Sequence, residues 1–246
     1  MNIKVYTLKD VPEIKTGAIM KDVWAKFMTP DKDTMKYWAD MRKLFPEYQL
    51  CLLDGDKLVG LGNSIPLTWT GKEEDLPPSW TDTLIQGVEN KEPDSVNTLS
   101  AVNIAIHADY QKSGLSQRLL SEFKKLANKK GLEKMIVPVR PSFKVDYPLT
   151  PFDNYVHWKR EDNTPFDPWI RTHWKLGAKI VRPIYKAFTV TGTIKDWEEW
   201  TSMHFPESGR YVIKGALQPV QIDRENDFGI YDDPNLWMEY QLTGEQ

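Results

Sequence analysis

The sequence predicts a mixed α/β fold of the α+β type, with a central mixed sheet flanked by helices. Three observations predict it. Two strand-like runs, 48–53 and 57–62, are joined by Asp54-Gly55-Asp56, a hairpin signal. Two helical stretches, 11–28 and 33–45, stand between a first strand and that hairpin, so the opening reads β-α-α-β-β. Residues 98–139 then read strand, tight loop, helix, strand, a βαβ unit whose strands run parallel.

Each element has a local reason. Residues 3–8 alternate apolar and polar, the period of a half-buried strand. In the second helix Met35, Trp38, Met41 and Phe45 share one face, and Pro46 ends it. Residues 66–97 interrupt the pattern with Pro66, Pro77, Pro78 and Pro93 and one short helix near 80–89. Residues 98–107 are largely apolar, as in a strand covered on both faces. The helix that follows lines up Leu119, Phe123, Leu126 and Ala127, and Lys129-Lys130-Gly131 supplies its C-terminal charge and cap. After the strand at 134–139 comes a second interruption, 140–166, rich in Pro and aromatics. A helix at 167–176 stops at Gly177, a strand at 179–191 is broken by Pro183, and 193–202 is helical. The tail is strand-like at 210–223 and Pro-interrupted at 232–242. The resulting domain expectation is one unit over 1–191 with insertions 66–97 and 140–166, and an extension, 192–246, packed on it.

Composition narrows the function classes. The 246 residues are 40% hydrophobic and 27% charged, ordinary for a globular chain. A net charge of −3 leaves no basic field for a nucleic-acid backbone, which argues against that partner. No stretch approaches the ~20 apolar residues of a membrane span, and the N-terminus has no apolar signal core, so no membrane partner and a cytoplasmic location are expected. Cys51, the single cysteine, lies in the apolar run 50–53 and reads as a buried structural thiol. His157, His173 and His204 lack metal-ligand spacing, so no metal is expected. Eight of the ten tryptophans lie beyond residue 60. Several sit beside Pro, Asp or Glu, as at 166–169 and 197–200, which reads as loop and helix-end packing, with the lining of a large cleft as the alternative.

The stretch with chemical content is Gln111-Lys112-Ser113-Gly114-Leu115-Ser116, between the apolar strand and the amphipathic helix. A helix start leaves N–H groups without internal partners, and the dipole adds partial positive charge. Such a turn binds phosphate. Gly114 permits positive φ or close backbone approach, and Ser116 is small enough for a diphosphate to lie over the turn. No Gly-Lys-Ser/Thr ending is present, so the loop is not a Walker loop.

These residues resemble the GNAT superfamily of acyl-CoA N-acyltransferases, whose signature is Gln/Arg-x-x-Gly-x-Gly/Ala after a Val-x-Pro-x-Tyr-like strand end. The chain reads Ile106-His107-Ala108-Asp109-Tyr110, then Gln111-x-x-Gly114-x-Ser116. Ala108 stands for the common Pro and Ser116 for Gly or Ala; both are small. The resemblance covers roughly 1–190. It implies that the strand at 102–107 splays from its neighbour, with Ile104 and Ile106 along the pantetheine arm. It further implies that amides of Gln111, Lys112, Ser113, Gly114, Leu115 and Ser116 hold the pyrophosphate of acetyl-CoA or another acyl-CoA. Lys112 and Arg118 are either phosphate partners or solvated cations.

The implied reaction is transfer of the acyl group to a primary amine of a small-molecule or peptide acceptor. A non-catalytic acyl-CoA-binding or sensing module is the alternative, and a homodimer is left open. The family usually keeps a Tyr four residues before a helix-ending Gly, to protonate the departing thiolate. Here that position is His173, before Gly177, which makes His173 the catalytic candidate or else a packing, hydrogen-bonding histidine; Tyr147, Tyr155 and Tyr185 are the other donors. The family's Glu near the start of the fourth strand is missing from 97–103, where Ser100 or Asn103 would instead hold a water. Arg140 and Lys144, just beyond the fifth strand, are candidates to hold an acidic group of the acceptor.

Overall fold

The computed structural model describes residues 2–21, 24–90 and 93–242. Its sheet runs in the order β1-β2-β3-β4-β5-β9-β8-β7, with β6 also paired to β9. The strands are β1 (Ile3–Thr7), β2 (Gln49–Asp54), β3 (Lys57–Leu67), β4 (Thr98–Ile106), β5 (Lys134–Val139), β6 (Lys179–Gly192), β7 (Gly209–Tyr211), β8 (Val220–Asp223) and β9 (Phe228–Gln241). All pair antiparallel except β4 with β5, the two strands of the βαβ unit. The hairpin between β2 and β3 turns at Gly55, whose φ of +62° is the left-handed conformation that glycine adopts without strain.

Helices cover both faces. On one face lie α4 (Leu115–Lys129), α5 (Phe152–Val156) and α6 (Pro168–Lys175). Leu119, Phe123, Ala127, Phe152, Tyr155 and Ile170 pack there against Leu50, Leu52, Leu99, Met135, Val137, Leu236 and Met238. Phe123 lies so close to β3 that a Cβ on Gly62 would come within 2.7 Å of its ring. On the other face lie α1 (Gly17–Lys21), α2 (Lys32–Leu44) and α3 (Trp80–Val88). There Met41 and Leu84 bury Ile65 and Val102, and Ile19 covers Cys51, Leu61 and Ala105. A separate cluster forms where α7 (Ile194–Thr201) packs on β6, β8 and β9 through Val190, Trp197, Val220, Ile222 and Tyr231.

Several expectations change in the folded chain. The helix expected over 11–28 is only the five residues of α1, with 22–23 outside the described residues. Beyond it, Phe27 is buried against Trp197 and Tyr231, a tertiary contact that overrides helical spacing. The stretch 192–246, expected as an extension packed on the domain, supplies β9, which is hydrogen-bonded between β5 and β6 in the middle of the sheet; residues 243–246 lie outside the described residues. Its Pro234 reads as an interruption, yet the strand continues through it. The β6 register shifts between Ile184 and Phe188, opposite that proline, so the missing N–H falls at an irregularity. The two insertions lie on opposite faces. Trp69 and Leu76 of the first cover Ile136, Ile184 and Trp237, while Phe152, Tyr155 and Val156 of the second join the α4 face.

Candidate active site

The central feature is a one-sided gap in the sheet. Strands β4 and β5 pair only at Thr98–Lys134, Leu99–Met135 and Ser100–Ile136. Beyond that rung they diverge, while β5 stays paired to β9 as far as Val139. A bulge explains the divergence. Asn63 of β3 faces Asn103 and Ser64 faces Ala101, so Val102 is an extra residue in β4. The bulge turns Val102 and Asn103 toward the same face, where Val102 meets Met41 and Leu84 and Asn103 meets Met20. Pro138, with no N–H to offer, lies in the half of β5 that has lost its β4 partner.

At the far end of β4 the chain enters the loop before α4. Gly114 is the N-cap in left-handed conformation, φ +82°, with nothing within 4 Å of where a Cβ would be. Lys112 is also left-handed, φ 61°, a conformation costly for a non-glycine residue. The first intrahelical bond runs from Arg118 N to Gly114 O at 3.0 Å, so the N–H groups of Leu115, Ser116 and Gln117 precede the helical ladder. No acidic residue stands in that first turn. Ile106, Tyr110, Gln111, Lys112, Gly114, Leu115, Ser116 and Gln117 line a shallow pocket here. The Leu115 side chain itself is buried in the core and the Ser113 hydroxyl donates to Tyr110 O, so at these two positions only the main chain is free to face a ligand. Ile104 and Ile106 are half-buried against the α4-side core.

The other face of the gap is aromatic. Trp80, from the first insertion, donates its indole N–H to Val102 O at 2.8 Å, at the bulge itself. Trp38 stacks on it at 5.6 Å, and Phe188 meets it edge-on at 6.1 Å. All three are half-buried, so part of each ring faces outward.

The residues expected to do chemistry or hold charge are otherwise placed. His173 is only 2% exposed, its Nδ1 sits 2.8 Å from the Tyr240 hydroxyl, and its ring lies against Trp169. Burial pushes its pKa down to about 3, so the imidazolium expected from its position is not available at neutral pH, and His173 is not among the residues lining the loop pocket. Tyr155 is buried with its hydroxyl on Asp167, and Tyr185 donates to Asp153. Tyr147 is partly exposed, packed on Tyr155, Trp158 and Phe166. Arg140 and Lys144 do not stand free for a substrate carboxylate. Arg140 makes a two-oxygen contact with buried Asp233 and donates to Gly215 O. Lys144 is buried, donates to Tyr147 O and Leu217 O, and is pushed down to about 8 by burial. Sequence reasoning allowed for aromatics lining a cleft but did not place this wall, and it missed the bulge. Trp80 stands inside a Pro-rich stretch, and a bulge exists only when β3 and β4 are paired.

Among the described residues no cluster of His, Cys, Asp or Glu could hold a metal ion, and no helix is long and apolar enough to cross a membrane. No family model matches the chain. It is 30% identical over 249 residues to arginine N-acetyltransferase avaD from Aspergillus versicolor, covering 89% of this chain and 85% of that protein. Among solved structures it resembles the loading GNATL domain of CurA from Lyngbya majuscula, with a TM-score of 0.63 at 19% identity over 98% of each chain. The GphF GNAT-like decarboxylase, in complex with isobutyryl-CoA, aligns with a TM-score of 0.62 at 14% identity, covering 99% of this chain and 100% of that one.

Proposed function

This chain belongs to the GNAT superfamily and is an acyl-CoA-dependent N-acyltransferase, and from that premise we propose that it transfers an acetyl group from acetyl-CoA to the amine of an arginine-like amino acid. The observation that carries the reading is the gap between β4 and β5, with a phosphate-type helix start at its far end and an aromatic wall on its opposite face. The diphosphate rests on the amides of Gln111 to Ser116, and the pantetheine arm runs along Ile104 and Ile106 toward the bulge. Lys112 adds charge at the rim.

The acceptor enters from the α1–α3 face. Trp38, Trp80 and Phe188 offer ring surfaces suited to a planar guanidinium, which stacks on aromatics more readily than a compact ammonium does. The similarity to an arginine N-acetyltransferase supports the same acceptor class. In the reaction the amine lone pair attacks the thioester carbonyl carbon, the C–S bond breaks, the amine loses a proton to solvent and the CoA thiolate takes one up. A thiolate with a pKa of ~8.5 is a modest leaving base, so the scheme does not need an imidazolium at His173.

The test is thiol release from acetyl-CoA with L-arginine, L-lysine and L-norvaline, which keeps arginine's backbone and three-carbon stem without the guanidinium. Arginine is expected to show the highest kcat/KM. Equal rates with norvaline refute the aromatic recognition of a cation. Gly114→Val in the same assay addresses the phosphate loop: CoA affinity should fall at least ~10-fold, because the substitution opposes a positive φ and fills the ligand's space.

A further inference from the structure

Three buried carboxamides form a line across neighbouring strands. Gln49 on β2 faces Asn63 on β3, and Asn63 faces Asn103 on β4, each in direct register. Their relative exposures are 0%, 0% and 8%, so none relies on bulk water. Asn63 Nδ2 donates to Gln49 Oε1 at 3.0 Å, and Asn103 Nδ2 donates to Asn63 Oδ1 at 3.1 Å.

The polarity of this line has a fixed origin. Gln49 Nε2 lies 2.8 Å from Phe45 O and 2.9 Å from Ser64 O. Both are main-chain carbonyls and only accept, so that end of Gln49 must be the NH2 group. Its oxygen then faces Asn63, which must present nitrogen, and the same constraint passes on to Asn103. Asn103 uses both N–H bonds, one on Asn63 and one on Met20 Sδ at 3.5 Å. Its Oδ1 is left buried without a partner among the described residues, three residues past the last β4–β5 rung. A buried carbonyl oxygen without a donor is costly, and such exceptions mark places where a ligand or water completes the bond.

We propose that Asn103 Oδ1 is the anchor for the attacking amine: it accepts an N–H from the acceptor and holds the nitrogen beside the thioester. The proposal rests on the N-acyltransferase reading above and names the residue that positions the acceptor in it. The bulge that splays β4 turns the Asn103 side chain toward the α1–α3 face, where its Nδ2 meets Met20, and this is the face assigned to the acceptor above, opposite the α4 side assigned to acyl-CoA. An amide oxygen accepts a hydrogen bond but is far too weak a base to take the proton. Asn103 is therefore a positioning residue, and the reaction follows the ionisation of the amine itself. Groups that offer no N–H or O–H cannot complete the site.

The experiment measures KM for acetyl-CoA and for the acceptor separately, in wild type, Asn103→Ala and Asn103→Asp, with melting temperatures alongside. The acceptor is whichever primary amine of the panel the wild-type enzyme acetylates best. Asn103→Ala should raise the acceptor KM about 10-fold, the effect of one lost hydrogen bond to a polar partner, and leave the acetyl-CoA KM within about twofold. Asn103→Asp should rescue acceptor binding only while its carboxyl is protonated, the O–H donating to Asn63 Oδ1 and the other oxygen accepting; ionised, it sets two acceptors against each other, so the rescue is lost as pH rises. A rise in acetyl-CoA KM instead would assign the oxygen to the pantetheine arm and overturn the proposal. Unchanged kinetics with a lower melting temperature would make the line purely structural and overturn it too. If the wild-type enzyme prefers an amine other than arginine, the acceptor reading fails and the Asn103 measurement still decides on that amine. If it acetylates no amine, both fall.

Discussion

His173 gives a prediction whose size follows from its surroundings. Its folded pKa is depressed from 6.5 to about 3 because the ring is buried, while in the unfolded chain it returns to its ordinary value. Between those values the unfolded state binds a proton that the folded state refuses, so this contribution weakens stability as pH falls below about 6.5. At 1.36 kcal/mol for each pKa unit, the loss between pH 7 and pH 5 is about 2 kcal/mol, growing toward about 5 kcal/mol near pH 3. Carboxylates held low by hydrogen bonds, such as Asp10, Asp162, Asp196 and Asp223, add acid sensitivity of their own. A substitution separates the two. His173→Gln keeps an amide for the Tyr240 hydroxyl and removes the titration. Urea unfolding of both proteins at pH 7 and pH 5 should show the variant about 1 kcal/mol less stable at pH 7 and level with or above wild type at pH 5. Its kcat at neutral pH should match wild type. A constant stability gap between the two pH values refutes the buried neutral imidazole. A ~100-fold loss of kcat with unchanged stability would return His173 to the chemistry.

Other outcomes follow from close contacts. Gly62→Ala places a Cβ 2.7 Å from the Phe123 ring and should cost about 1–3 kcal/mol in chemical denaturation, with acetyl-CoA KM unchanged in the folded fraction. Cys51 is fully buried and its thiol is pushed up to about 11, so a thiol reagent at pH 8 should react with it only in denaturant; rapid labelling of the native protein would contradict that burial. Trp80→Phe keeps an aromatic ring but trims the indole and deletes the N–H bonded to Val102 O. It should cost about 1 kcal/mol and raise the acceptor KM more than the acetyl-CoA KM, measured by the same thiol-release assay.

The sequence by itself determined most of the elements and the turn before α4, though not the extent of α1 or the continuity of β9. The hairpin at Gly55, the apolar β4, the amphipathic α4 and the Gly114 turn are written in local patterns of period two, period 3.6 and turn chemistry, which depend on near neighbours only. What tertiary structure alone decided are the relations between distant segments. Pro234 looks like a strand breaker until β9 is seen with its proline opposite a register shift in β6. His173 stands at a position that suggested an acid, but its charge state depends on burial beside Trp169 and Tyr240, which no spacing along the chain encodes. Asn63 was visible as a lone amide within an apolar strand and went unread, and Asn103 was read only as a residue that could hold a water. Their joint meaning required the register that places Gln49, Asn63 and Asn103 side by side. Secondary structure follows from local sterics, whereas solvation and hydrogen-bond polarity are set by groups tens of residues away, so they become legible only once the chain has folded.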